Sequence, residues 1–354
     1  MTTGTLSAGS AGLIDHQAQE STRVLWVDYA KGICIVAVVM MYATHHVQQI
    51  LRSEGWMEYV VRFAQPFRMP DFFMIGGLFV ARVIDRPWRR YIDSKVLYFI
   101  YFYTIWVSFR FSYTDLREAV NEGTVLTEYL RLFLAPPSGP LWFIYILALF
   151  FIAVRLVRGW RPGLVLALSA GLHVADLHTG VTLFDKFSQY FIFFYGGHLL
   201  ARHVFSLAAW SQHHLAFAPP LLAAWFVLNG WAVFTGVAAL PGVSLLLGFG
   251  GAIAVMLAAV LCSRVTWLDW LRWLGRHSIV IYLGFVIPLG VLRIFIHRSA
   301  GIVDPGTVAL ATTIGSIAGA VLLYQAVRRT PLRFLFARPA WTHLSPPAPA
   351  RERA

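Results

Sequence analysis

Trp26-Val27-Asp28-Tyr29-Ala30-Lys31-Gly32 runs into an apolar stretch from Ile33 to Met41, which closes on Tyr42-Ala43-Thr44-His45-His46. The segment predicts a helix that crosses a bilayer, because about twenty mostly apolar residues span roughly 30 Å of hydrocarbon. Its charges say more. An ionised Asp or Lys at the bilayer centre costs about 2.5 to 3.5 kcal/mol on insertion scales, so such groups persist at an interface, beside a wet cavity or in a pair. Lys31 and Tyr42 are about three helical turns apart, and Asp28 and His45 fall near the same stripe. One helix face thus carries a carboxylate, an ammonium, a phenol and an imidazole, the acid, base and donor groups that proton transfer needs. Neighbouring residues diverge by about 100°, so only one of His45 and His46 faces a given cavity squarely, and the stripe selects His45. The plainer readings are histidines wetted at the outer interface and an Asp28–Lys31 ion pair at the membrane edge. The stripe predicts one hydrophilic track from the inner rim toward the opposite leaflet.

The rest of the chain repeats the apolar pattern. Of 354 residues, 58% are hydrophobic and 13% charged, against about a quarter charged in soluble domains. The fold class is therefore an all-α polytopic membrane protein. About ten windows qualify as spans: 30–48, 63–81, 96–113, 140–157, 163–177, 187–201, 217–236, 243–263, 278–296 and 306–327. The net charge of +12 does not signal nucleic acid, because the basic residues gather in alternating loops. By the positive-inside rule both termini are cytoplasmic, in a plasma (inner) membrane. Residues 23–336 read as one membrane domain, with a polar leader at 1–22 that is no cleaved signal peptide. A Pro-rich tail at 337–354, with Pro339, Pro346, Pro347 and Pro349, reads as a disordered cytoplasmic end. The interval near 114–139 reads as a short amphipathic helix ending at Ala135-Pro136-Pro137-Ser138-Gly139-Pro140. Cys34 and Cys262 lie in separate spans and read as packing residues.

Further candidates lie on other spans. The second contains Gln65-Pro66-Phe67-Arg68-Met69-Pro70-Asp71-Phe72-Phe73 and then Gly76-Gly77. Its prolines release backbone groups, and an Arg68–Asp71 pair would mark a binding-site edge; Gly76 and Gly77 suit close helix packing. The next loop, Arg82-Val83-Ile84-Asp85-Arg86-Pro87-Trp88-Arg89-Arg90, packs four guanidinium groups into nine residues. Such a cluster can grip phosphates bidentately, or anchor the loop to anionic lipid. Trp142 and Tyr145 open the fourth span as interfacial aromatics. His173, His178, His213 and His214 lack metal-ligand spacing with a third partner, so no metal site is expected.

Together these segments resemble the acyltransferase-3 family of integral membrane acyltransferases. The resemblance rests on Val27-Asp28-Tyr29-Ala30-Lys31-Gly32-Ile33, Arg68-Met69-Pro70-Asp71-Phe72-Phe73 with Gly76-Gly77, Leu141-Trp142-Phe143-Ile144-Tyr145, and Leu274-Gly275-Arg276-His277-Ser278 to Tyr282-Leu283, in that order. It implies transfer of an acyl group, often from acyl-CoA, to a sugar, glycolipid or other acceptor, with no tightly bound cofactor. On it, His45, Tyr42, His46, Arg68 and Asp71 form the expected catalytic set. Asp28, Lys31, Arg86, Arg89, Arg90 and Lys95 would hold the donor, and Trp142 and Tyr145 the substrate. Membrane lipids, acyl-CoA and a carbohydrate or lipid acceptor are the expected partners. Lys31 and Tyr42 stand where the family typically has Arg and a functional His, and His45 returns to nearly the same face one turn later. The family's Arg-x-x-Arg feature matches Arg86-Pro87-Trp88-Arg89, or by spacing Lys95 and Tyr98, and Gly284 replaces a His late in the ninth span. A transporter or flippase for an anionic lipid or small metabolite, or a non-catalytic scaffold, remains the alternative.

Overall fold

The computed structural model describes residues 24–134 and 139–344. The leader at 1–22, Pro136-Pro137-Ser138 and the prolines at 346, 347 and 349 lie outside the described residues. The long helices are α1 Leu25–Leu51, α2 Met57–Leu78, α3 Leu97–Thr114, α4 Trp142–Leu156, α5 Pro162–Val174, α6 Thr182–His213, α7 Ala218–Phe234, α8 Pro241–Cys262 and α9 Pro305–Val327. Between α8 and α9 runs a broken stretch, Asp269–Arg276, Ser278–Gly284, Val286–Val291 and Arg293–Arg298. No strand occurs among the described residues. Every window read as a span falls on a helix or on the broken stretch. Five of these helices, α1, α4, α7, α8 and α9, are long and apolar enough to cross a membrane; the stretch 266–291, bent by 65°, would make a sixth. The others are shorter, more polar or interrupted. Where one amphipathic helix is expected near 114–139, two short ones form, Leu116–Glu122 and Val125–Leu134, separated at Gly123 with φ 68°.

The bundle closes through backbone contacts that only glycine permits. A Cβ on Gly77 of α2 would stand 2.1 Å from the Phe194 carbonyl, and one on Gly197 of α6 2.2 Å from the Met74 carbonyl. The two helices therefore cross backbone to backbone, the small-residue packing common between membrane helices. Gly275 lies against α1 in the same way: its Cβ would fall 1.7 Å from the Asp28 carbonyl oxygen. That approach brings Arg276 Nε to 3.1 Å from Asp28 Oδ2, while the Tyr29 hydroxyl donates to Asp269 Oδ1 at 2.6 Å. Pro66 and Pro70 lack the N–H that would reach the Arg62 and Pro66 carbonyls, and side chains bond other carbonyls of the same stretch. Asn229 of α7 donates to the Phe63 carbonyl at 2.8 Å, and Arg68 reaches back to the Val61 carbonyl at 3.4 Å.

The end of the chain departs from expectation. Residues 337–344, read as part of a disordered tail, fold onto the bundle. Trp106 and Tyr101 of α3 donate to the Leu335 and Phe334 carbonyls, and Phe336 is buried between Trp106 and Tyr324. Arg338 then meets the buried Asp93 carboxylate at 2.6 Å, and the Leu344 amide donates to the same oxygen. Proline content signals the loss of helix, but it carries no information about this buried ion pair, which pins the segment.

Candidate active site

α1 carries a pocket at each end. The first, about 430 Å³, lies at the end where α1 begins, and Asp28, Lys31, Arg82, Lys95 and Arg276 line it together with Gly76, Tyr98, Ser278 and an aromatic wall. Asp28 is buried and held by Arg276, which compensates its charge. The cations sit over rings: Lys31 Nζ is 5.6 Å and the Arg82 guanidinium 5.1 Å from the Phe79 centroid, and Lys95 Nζ is 5.3 Å from that of Phe151. Lys95 occupies a π-helical turn, Ile92–Val96, that precedes α3. Burial pushes its ammonium down from the ordinary lysine value to about 8, with the charges of Arg86 and Lys31 adding to the effect.

The second pocket, about 440 Å³, lies toward the other end of α1 and is lined by Tyr42, His45, His46, Gln49, Arg110, Tyr113, Pro140, Phe285 and their neighbours. His45 is exposed to it. His46 lines it too, but its Nε2 is sealed from solvent and has no hydrogen-bond partner among the described residues. The pockets do not run together as one track. Ile35, Val38 and Val39 are fully buried on the intervening stretch of α1. Beside them stands an aromatic septum: Tyr42 and Phe285 at 5.5 Å, Phe285 and Tyr282 at 6.4 Å, Tyr282 and Phe143 at 5.3 Å between ring centroids. Tyr282 and Phe143 line the first pocket, Tyr42 and Phe285 the second. The Tyr282 hydroxyl donates to the Pro140 carbonyl, which lines the second. Rings shared between the two linings thus stand between the pockets.

A family model described as an acyltransferase domain matches residues 24–325. The chain belongs to the acyltransferase-3 family. Its sequence is also 33% identical over 84 residues to an Escherichia coli protein named inner membrane protein YcfT; that match covers 20% of this chain and 23% of the relative. No solved structure matches. The chain is accordingly a multi-pass membrane protein bearing an acyltransferase domain, and the relative's name agrees with an inner-membrane location.

The geometry divides the residues singled out in the sequence. Asp28, Lys31 and Lys95 meet in the first pocket, and Tyr42, His45 and His46 in the second. Arg68 and Asp71 do not pair. Arg68 lies within electrostatic reach of Tyr42 and Tyr190, whereas both carboxylate oxygens of Asp71 are buried without a hydrogen-bond partner among the described residues. Arg86, Arg89 and Arg90 are exposed, outside the lining of the first pocket. Trp142 interacts with the Tyr42 hydroxyl and stacks on Tyr190 at 5.7 Å, while Tyr145 packs on Tyr103 at 4.8 Å. Gly284, where the family has His, is abutted by Phe336.

Sequence reasoning missed Arg276 as a pocket residue, and it counted Arg82 in the arginine cluster but not in the donor-holding set. Arg276 stands beside the glycine that docks on α1, and the run Leu274-Gly275-Arg276 was its only signal; the partner Asp28 lies 248 residues away.

Proposed function

We propose that the protein transfers an acyl group from acyl-CoA to a hydroxyl of a sugar, glycolipid or other envelope acceptor. One observation carries this reading: two pockets of unlike chemistry stand back to back on α1, one edged with cations and one with histidines, with aromatic rings between them. With the basic end toward the cytoplasm, as the positive-inside rule requires, the donor's phosphates enter the pocket that Lys31, Lys95, Arg82 and Arg276 line. Asp28 orients Arg276. The thioester arm passes between Phe143 and Tyr282 toward Tyr42. On the far side His45 takes the proton of the acceptor hydroxyl as its oxygen attacks the acyl carbonyl. Tyr42 and Arg68 stabilise the negative charge that develops there. The C–S bond breaks, the acyl ester forms, and the CoA thiolate leaves toward the cytoplasmic pocket, where it takes a proton from water, while His45 returns the acceptor's proton to water on its own side.

The same pair of pockets would suit a transporter with alternating access, so the test must separate the two readings. In proteoliposomes supplied with radiolabelled acyl-CoA, acceptor-dependent release of CoA thiol and a labelled ester are expected. Uptake of label without any covalent product would replace the enzyme reading with the transporter.

A further inference from the structure

The turn that carries Lys95 is held from two sides. Ile92–Val96 is wound as a π-helix, a form that is rare in proteins and frequent at functional sites. On one side the fully buried Tyr91 donates to the Phe151 carbonyl at 2.7 Å, and Lys95 Nζ lies over the Phe151 ring. On the other, the segment that follows α9 folds against the turn. Arg338 donates to the Asp93 carbonyl through Nη1 and to Asp93 Oδ1 through Nη2, each at 2.6 Å. Residues two apart along a helix point to nearly opposite sides, so a grip on Asp93 sets how Lys95 meets the pocket across the turn. We propose that Asp93 and Arg338 are positioning residues, which hold the Lys95 ammonium at the wall of the cationic pocket where the donor's phosphates enter.

The clamp exceeds what the segment needs in order to dock. Phe334 and Leu335 are already tied through their carbonyls to Tyr101 and Trp106, and Phe336 is buried. A buried ion pair adds little net stability over apolar side chains of similar volume. What it adds is register. The planar fork of Arg338 meets a carbonyl and a carboxylate together only in a narrow geometry, and its own position is fixed by Thr342, whose hydroxyl accepts from Nε at 3.0 Å and whose carbonyl accepts from Nη2. The Leu344 amide donates to Asp93 Oδ1 at 3.1 Å, and His343 Nδ1 stands 3.6 Å from Oδ2. Water hardly reaches the pair, whose side chains are 4% and 7% exposed.

Lys95 depends on such support. Among the described residues its Nζ makes no ion pair, so the turn and the Phe151 ring place it. Arg86 and Lys31 repel it, Arg82, Arg276 and Tyr98 share its pocket, and the carboxylate in that lining, Asp28, is held by Arg276.

That the ammonium receives phosphate rests on the acyl-transfer reading; that the clamp aims it does not, and one experiment reads the two separately. Competitive labelling of the full chain in phosphatidylcholine nanodiscs with acetic anhydride, followed by peptide mass spectrometry, gives the pH at which Lys95 becomes reactive, expected at about 8 in the wild type. Asp93→Asn with Arg338→Met removes a neutral pair, which leaves no buried charge unpaired and changes the local field little. Burial is the main cause of the low value, so release of the turn should raise the midpoint by about one pH unit. Arg338→Lys keeps the charge but cannot bond the carbonyl and the carboxylate together, and should raise it by less. Asn229→Ala, which loses the bond to the Phe63 carbonyl, should lower the melting temperature and leave the midpoint in place. A midpoint near 8 in the double variant, or an equal rise in Asn229→Ala, overturns the clamp. Binding of tritiated CoA, measured alongside, should weaken about tenfold in the double variant, as for the loss of one charge-assisted hydrogen bond. If the midpoint rises but the wild type binds no CoA, the clamp stands and the donor reading falls. If CoA binding needs Lys95 but the midpoint does not move, the clamp falls and the donor reading stands.

Discussion

The two pockets on α1 are nearly equal in size, about 430 and 440 Å³, yet they are held in opposite ways. The cationic pocket is framed by contacts of high sequence separation: Gly275 against the Asp28 backbone, Arg276 on the Asp28 carboxylate, Tyr29 on Asp269. The histidine pocket depends on ring packing around Tyr42 and on side chains that are open to it. The difference teaches where each pocket is fragile. A change in the first should act through assembly or through charge, and a change in the second through chemistry alone.

The largest effect expected tests the first half of that contrast. Gly275→Val places a branched side chain where even a Cβ would meet the Asp28 carbonyl at 1.7 Å. Overpacking typically costs about 1 to 3 kcal/mol when side chains can give way, and here backbone must move. The variant should lose its cooperative thermal transition in detergent or show it at a markedly lower temperature. A wild-type melting curve would show that the α1 contact does not frame the pocket. Next comes the second half. His45→Ala should lower acyl transfer by about 10² to 10⁴-fold, the usual range for a lost general base, with the melting temperature unmoved. His46→Ala, whose Nε2 is sealed inside, should cost less. The reverse ranking in initial rates would transfer the base to His46.

Much of this contrast is legible in the sequence. Composition and apolar spacing gave the helices, and the spacing of Asp28, Lys31, Tyr42 and His45 placed polar groups at both ends of α1. The single track was not legible as two pockets, because the septum is made of Phe143, Tyr282 and Phe285, whose side chains look like ordinary interior in any helical window. The expected Arg68–Asp71 pair failed for a related reason. Spacing along a helix states which groups share a face, but Pro66 and Pro70 alter that face, and Arg68 turns back to Val61. The cluster around Arg89 was conspicuous as charge, whereas Arg82 and Arg276 reach the cavity through the turns that carry them.

A smaller effect sharpens the role of charge in the first pocket. Lys31→Met and Lys95→Met should each raise the donor KM by about ten- to a hundredfold, the loss of one charge-assisted hydrogen bond worth roughly 1.5 to 3 kcal/mol, with kcat little changed. The Lys95 ammonium, lowered to about 8, adds a pH signature. Below that value it is charged and attracts an anionic donor; above it the amine is neutral and the attraction is lost. For the donor, kcat/KM should therefore decline as pH rises through about 8, and bound phosphate should hold the proton on, so kcat itself should show no such limb. Lys95→Met should abolish the limb. A limb that persists in the variant would belong to another group.

The smallest effect distinguishes a charged cavity from a charged loop. Arg89 and Arg90 are exposed and do not line the pocket, and exposed charges in water contribute about 0 to 1 kcal/mol each with strong salt screening. Arg89→Gln with Arg90→Gln should change the donor KM by less than about fivefold in zwitterionic vesicles at physiological salt. If the pair instead matches the loss seen for Lys31→Met, the phosphates sit over the loop rather than at the pocket mouth. The contrast between the two pockets would then become one between an open basic surface and a closed histidine chamber.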